Sequence, residues 1–180
     1  MMEEKYKKEA VHLMKEKFGY KNTLAVPRIK KTVINVGVGS VLRDEQTQNA
    51  VAKDLAEITG QKAVPTLAKK AISAFKIRQG MVVGYKVTLR GKRMFDFLSR
   101  LVDVVLPRTR DFRGLEQDSI DKSGNLSIGI KEHIIFPEIF PEEVKRIFGM
   151  EITVVTDAKS REEALELFKL LGFPIKKDNK

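Results

Sequence analysis

Along the first residues, apolar side chains recur three or four positions apart. Tyr6, Ala10, Leu13, Met14 and Phe18 mark one side of a predicted helix over 3–18, with Gly19 placed to end it. The period then changes. "VPRIKKTVINVGVG" (26–39) is rich in β-branched residues and predicts a strand starting after Pro27. Asp44 can cap a second helix reaching about Ile58, with Ala50, Val51, Leu55 and Ile58 on one side and Gly60 after it. "AVPT" (63–66) fits only a short edge strand, because Pro65 cannot donate to a ladder. The strictest alternation lies in "MVVGYKVTLRG" (81–91). Val83, Tyr85, Val87 and Leu89 share one face; Lys86, Thr88 and Arg90 share the other, with Gly84 in line.

The helical period returns in "KRMFDFLSRLVDVVL" (92–106). Met94, Phe95, Leu98, Leu101, Val102 and Val105 turn inward, and the helix is expected to stop before Pro107. "LPRTRDFRGL" is loop-like. "DKSGN" is a turn leading into the alternating strand "LSIGIKE". "PEEVKRIFG" reads as a short helix with Pro141 near its start, and "MEITVVTDA" as a strand. Ser160 and Glu163 form a capping box for a last helix that Gly172 stops. The tail "KKDNK" is expected to be disordered, and no internal repeat is present.

Helices and strands mix without regular βαβ alternation. The expected fold is therefore α+β: a largely antiparallel sheet with helices packed on one face and its polar face open. A single domain is expected over 1–180, with an N-terminal part at about 20–90 and a C-terminal part at about 91–177. The face carrying Lys86, Thr88 and Arg90 is the candidate for the open one.

Charge sharpens this picture. The net formal charge is +10, but it is unevenly spread. Residues 1–57 hold 11 basic and 8 acidic groups, and residues 96–180 hold 14 and 16. Residues 58–95 hold nine basic groups and no acid: Lys62, Lys69, Lys70, Lys76, Arg78, Lys86, Arg90, Lys92 and Arg93. A merely solvated face interleaves both signs. A stretch stripped of acid builds a local positive potential suited to a polyanion, and in a cytosol that means nucleic acid.

The absence of Cys excludes disulfides, thiolate zinc sites and Cys nucleophiles. No window approaches the roughly 18 apolar residues of a membrane span, and the N-terminus lacks a signal-length apolar run. A soluble intracellular protein with no membrane partner is expected. "NVGVGSVL" imitates a dinucleotide fingerprint, but Leu42 occupies the place of the third glycine. "GYKVTLRGK" fails as a nucleoside-triphosphate loop, since six residues separate its glycines and Arg93 replaces the magnesium-binding hydroxyl. His12 lies beside an apolar stripe, and His133 has no second His at ligand spacing. Carboxylates gather on helix faces, not in a catalytic pair. No catalytic residue, metal site or cofactor is expected. Arg108, Arg110 and Arg113 in "RTRDFRG" can grip phosphate or carboxylate bidentately; alternatively they pair with Asp111 while Phe112 anchors the loop.

At "INVGVG", "TGQKAVPTLAKKAISAFKIRQGMVVGYKVTLRG", "LPRTRDFRGL", "IKEHIIFPEI", "GMEITVVTDA" and "LLGFPIKK" the chain resembles the bacterial large-subunit ribosomal protein five family, from about Tyr20 to Lys177. The resemblance implies a non-enzymatic constituent of the large subunit in the cytoplasmic ribosome. Such a protein binds 5S ribosomal RNA through an open sheet face, mainly within residues 20–90, and attaches it in the central protuberance. The family's RNA-reading Asn, Gln and Thr match Asn35, Gln61 and Thr88. Amides and a hydroxyl both donate and accept, so they can read base edges and ribose 2′-hydroxyls. Lys62, Lys86 and Arg90 would attract phosphate around them. Asn35 has a structural alternative, capping a bulge near Gly37.

The resemblance also implies that the basic loop, roughly Lys70 to Gly84, reaches peptidyl-site transfer RNA. Lys70, Lys76, Arg78 and Gln79 would meet it, with Phe75 or Ile77 anchoring the loop or stacking. Further implied partners are 23S ribosomal RNA, the neighbouring large-subunit proteins of the 5S complex, and small-subunit protein thirteen. The last is met through "RTRDFRG" or through "IFPEIFPEE". Two other classes remain in view. A nuclease would need acids or a His pair beside the basic block, which has neither; a free RNA chaperone or DNA-binding protein would not travel with ribosomes.

Overall fold

The first helix forms where the sequence places it, but not as one regular spiral. In a computed structural model describing residues 2–39, 44–110, 112–140, 142 and 144–176, helix α1 consists of Met2–Lys5, a π-helical turn Tyr6–Ala10, and Val11–Phe18. Leu42, Asp111, Pro141 and the tail from 177 lie outside the described residues. Ala10 and Met14 are buried, whereas Leu13, expected on the apolar side, is 47% exposed. The wide turn shifts the helix phase by part of a residue, which moves Leu13 outward.

Helix α2 spans Glu45–Thr59. Its Asp44 cap accepts the Thr47 N–H at 3.0 Å, and Gly60 closes it at φ +66°. Helix α3 runs Gly91–Arg100, continues through a π-helical turn Leu101–Val105, and ends with Leu106–Arg108. It thus passes Pro107 instead of stopping before it. Leu106 N–H bonds to Leu101 O across the wide turn. That widening makes room for a proline ring, which in a regular helix collides with the carbonyl four residues back. The inward face also differs by one position: Phe97 is fully buried, and Phe95 only half-buried. Helix α4, Arg161–Leu171, is capped by Ser160, whose hydroxyl accepts Glu163 N–H at 3.3 Å. Glu163 answers by accepting Lys159 N–H at 2.9 Å.

Five strands follow in chain order: β1 Ile29–Gly37, β2 Val64–Leu67, β3 Val82–Leu89, β4 Leu126–Ile130 and β5 Met150–Thr156. They form one antiparallel sheet in the order β2-β3-β1-β5-β4. The fold is α+β. Strand β2 is an edge, with Val64 opposite Lys86 and Thr66 opposite Gly84. Alternation holds along every long strand. Ile34 and Val36 of β1, Tyr85, Val87 and Leu89 of β3, and Ile152 and Val154 of β5 are buried. The positions between them are exposed, as at Asn35 and Lys86, or half-buried, as at Thr88 and Thr153. Within the segment "PEEVKRIFG", expected to be helical, residues 144–149 have no helical structure.

The chain divides into two compact units. One comprises residues 1–32, 89–128 and 153–180. Here α1 packs on α3 and α4 over Met14, Met94, Leu98, Leu101, Leu167 and Phe168. The turn at 121–125 closes on itself, Asn125 N–H donating to Asp121 Oδ1 at 2.8 Å. The other unit comprises 33–88 and 129–152, with Val51, Leu55 and Ile58 of α2 buried together with Ile34, Val87, Ile130 and Phe136.

Candidate nucleic-acid interface

Within the unit 33–88 and 129–152, the candidate readers are set by backbone geometry. Asn35 is exposed at an outward position of β1, and its side chain has no hydrogen bond among the described residues. The bulge-capping alternative therefore has no bond to support it. Thr88 is half-buried at an outward position of β3. Gln61 follows the Gly60 turn, and its Nε2 donates to Thr88 O at 3.2 Å. Two of the three residues are thereby joined, and the Gln61 side-chain oxygen Oε1 has no hydrogen bond among the described residues. The Thr59 hydroxyl holds this corner. It lies 2.6 Å from Leu55 O and 3.0 Å from Gln61 O, and accepts Gln61 N–H at 3.3 Å. Thr59 escaped the sequence reading; a Thr in the last helical turn, just before a Gly, was the available signal.

β1 and β3 approach unusually closely beneath these groups. A Cβ placed on Gly84 would stand 2.7 Å from Val36 O, so only glycine fits. Val38 N–H donates to Val83 O at 3.0 Å, continuing the pairing past the end of β1.

The basic loop is a built finger. Ala68 N–H donates to Met81 O at 2.8 Å and Gly80 N–H to Ala68 O at 3.0 Å. Farther out, Ile72 and Ile77 exchange N–H···O bonds of 2.9 and 3.1 Å. A 3₁₀ turn, Ser73–Phe75, and Lys76 at φ +54° close the tip. Lys76 is the one non-glycine residue with positive φ among the described residues, a conformation costing roughly 1–2 kcal/mol. Phe75 projects with 69% exposure, while Ile77 is half-covered. Lys70, Lys76, Arg78 and Gln79 are all exposed.

Lys62, Lys69, Lys70, Lys76, Arg78, Lys86, Arg90, Lys92 and Arg93 are exposed, and none has an ion pair among the described residues. Elsewhere exposed cations do find carboxylates: Lys17 with Glu166 at 2.7 Å, Arg161 with Asp118 at 2.7 Å, and Lys176 with Glu116 at 3.2 Å. Arg108, Arg110 and Arg113 are exposed around a half-buried Phe112; their proposed partner Asp111 is outside the described residues.

His12 is exposed. His133 is not, and little in the chain's pattern signals its burial. Its ring is 0% exposed and stacks on Phe148 at 3.8 Å, with 10° between the planes. Nδ1 accepts Phe148 N–H at 3.3 Å, which leaves the proton on Nε2; that atom lies 3.4 Å from Asp54 Oδ2 without hydrogen-bond alignment. His133 N–H also donates to Phe148 O at 3.1 Å. These bonds engage the Phe148 backbone, and residues 144–149 stay out of helix, a nine-residue helix being marginal on its own.

An open, polar sheet face accompanied by unpaired cations defines a polyanion-binding α+β protein. Residues 22–78 match the ribosomal protein L5 family model, and residues 82–175 match the model of that ribosomal family's C-terminus. The large ribosomal subunit protein uL5 of Fervidobacterium nodosum is 56% identical over 98% of this chain and 96% of its own. Those of Halothermothrix orenii and Dictyoglomus turgidum are 52% and 51% identical, over 97% and 98% of this chain and 97% and 99% of theirs. The chain belongs to the ribosomal protein L5 family. It is a structural, non-enzymatic constituent of the large subunit of the cytoplasmic ribosome, with ribosomal RNA and ribosomal proteins as partners.

Proposed function

We propose that the chain holds 5S ribosomal RNA in the central protuberance, with Asn35, Gln61 and Thr88 reading it and Lys62, Lys86 and Arg90 drawing in its phosphates. The observation that carries this reading is the set of nine exposed cations without ion pairs among the described residues, in the same stretch of chain as neutral groups that can donate and accept. Cations left without carboxylates keep their full attraction for phosphate. The finger carrying Lys70, Phe75, Lys76, Arg78 and Gln79 meets peptidyl-site transfer RNA. Its paired base supports reach, and its exposed Phe75 supplies an aromatic face for stacking. Arg108, Arg110 and Arg113, or the segment at 135–143, form the bridge to small-subunit protein thirteen, and 23S ribosomal RNA and the neighbouring proteins of the 5S complex complete the partners.

The test is filter binding of Asn35→Ala/Thr88→Ala to 5S ribosomal RNA and to an arbitrary RNA duplex of similar length. The expected loss falls on 5S RNA. Equal losses on both RNAs would refute specific reading.

A further inference from the structure

The chain has no Cys, so its six Met residues hold all of its sulfur. Met2, Met14, Met94 and Met150 are buried, and Met1 lies outside the described residues. Met81 is the half-exposed one among those described. It stands where the finger joins β3. Its carbonyl accepts Ala68 N–H at 2.8 Å, and its neighbour Gly80 donates N–H to Ala68 O at 3.0 Å. Its thioether takes part as well. Arg78 N–H donates to Met81 Sδ at 3.2 Å, while Met81 N–H donates to Arg78 O at 3.2 Å. The turn 78–81 is thus closed twice, once by backbone and once by sulfur, with Gly80 at φ +84° supplying the left-handed third position.

A thioether outside the core is open to two-electron oxidants, while the four buried methionines are shielded by their packing. With hydrogen peroxide, a sulfur lone pair attacks one peroxide oxygen; the S–O bond forms and the O–O bond breaks. The other oxygen leaves as hydroxide and takes the proton from the new S–OH, becoming water. Sulfur loses two electrons and peroxide gains them. The product is a sulfoxide, with a partly positive sulfur and a polar oxygen. Such a sulfur no longer accepts Arg78 N–H. The new oxygen can accept it only if the side chain withdraws to make room. In both cases the sulfur closure of the turn is lost, and the backbone that carries the exposed Arg78 is less firmly set.

We infer that Met81 is an oxidant-sensitive modification site at the root of the finger, where a peroxide-class oxidant converts the thioether to the sulfoxide and loosens the turn that carries Arg78. Sulfoxide formation is a reversible step, since reductases return it to the thioether. The consequence for transfer RNA rests on the proposed role of the finger; the chemistry at Met81 does not.

The experiment treats the full chain with graded hydrogen peroxide and follows two readouts by mass spectrometry: oxygen gained at each Met, and the rate of brief tryptic cleavage after Arg78. Met81 is expected to oxidise before Met14, Met94 and Met150. Cleavage after Arg78 is expected to quicken about two- to tenfold, as for one lost hydrogen bond. Met81→Leu keeps the bulk but can neither accept the N–H nor be oxidised. It is expected to show the faster cleavage before peroxide and no further change after it, with 5S RNA binding reporting that the rest of the chain is folded. Met81 oxidising no sooner than the buried methionines overturns the site. So does oxidation that leaves cleavage unchanged, which would make Met81 a mere scavenger. A Leu variant cleaved no faster than the unaltered chain, or one that peroxide still accelerates, overturns it too. Footprinting of ribosomes assembled with the oxidised chain should show weaker protection of peptidyl-site transfer RNA. A loosened finger with unchanged protection overturns the transfer RNA reading instead and leaves the modification site standing.

Discussion

The Gln61 side-chain amide donates to the backbone carbonyl of Thr88 at 3.2 Å, across 27 residues of sequence. This bond fixes which end of the amide faces outward. With Nε2 turned toward Thr88, Oε1 is presented as an acceptor, suited to a base amino group or a ribose 2′-hydroxyl. Gln61→Ala should weaken 5S RNA binding by roughly 0.5–1.5 kcal/mol, about two- to tenfold. Gln61→Glu should cost more. A carboxylate cannot donate to Thr88 O, and it brings negative charge to the edge of a phosphate-binding surface. Filter binding ranks the three proteins, and a Glu variant binding as well as the unaltered chain would count against this orientation.

Gly84 sets the spacing of β1 and β3. The missing Cβ would meet a backbone oxygen, Val36 O, at 2.7 Å, and a carbonyl within a strand cannot swing aside as a side chain can. Gly84→Ala should destabilise the fold by about 1–3 kcal/mol, read as a lower midpoint in urea. Because Asn35 and Thr88 sit on the two strands being pushed apart, 5S affinity should fall in parallel. Unchanged stability would show that the strands yield more easily than their pairing implies.

The finger and the sheet face should separate functionally. Lys76→Ala/Arg78→Ala removes two cations that have no ion pair among the described residues, from a finger whose outer end the Ile72–Ile77 pair closes. It should leave 5S affinity within about twofold, a change no larger than a surface ion contact. Footprinting on assembled ribosomes should show weaker protection of peptidyl-site transfer RNA. A large loss of 5S affinity would sink this division of labour.

Much of this was legible because it depends on local pattern. Val83, Tyr85, Val87 and Leu89 announce a half-buried strand, Pro65 announces an edge, and Asp44 and Ser160 cap the helices they precede. The unmixed sign of residues 58–95 is likewise a property of the sequence itself, and it marks the candidate interface. What the sequence hid is non-local. The π turns in α1 and α3 arise from packing, and the one at Leu101–Val105 lets the helix pass Pro107. The segment at 144–149 reads as helical by composition, yet Phe148 is claimed by His133 from fifteen residues away. The Gln61–Thr88 bond likewise joins two elements whose proximity only the sheet order creates.

His133 makes stability depend on pH in a narrow window. Burial lowers its pKa below the ordinary 6.5. The folded chain therefore keeps the ring neutral while the unfolded chain protonates it. Stability from this group is fully present above about pH 6.5 and is lost as pH falls from there toward the folded pKa, with a slope of up to ~1.4 kcal/mol per pH unit. Protonation of Nδ1 would also cancel the bond from Phe148 and loosen the stack. The carboxylate of Asp44, held low by hydrogen bonds from Thr47, begins to matter only near or below its ordinary value of 3.8, outside this window. Thermal unfolding measured from pH 7.5 to 5.0 should show the decline in the unaltered chain and a flatter profile in His133→Gln, whatever that variant's absolute stability. Identical slopes in the two proteins would mean that His133 is not the group being titrated.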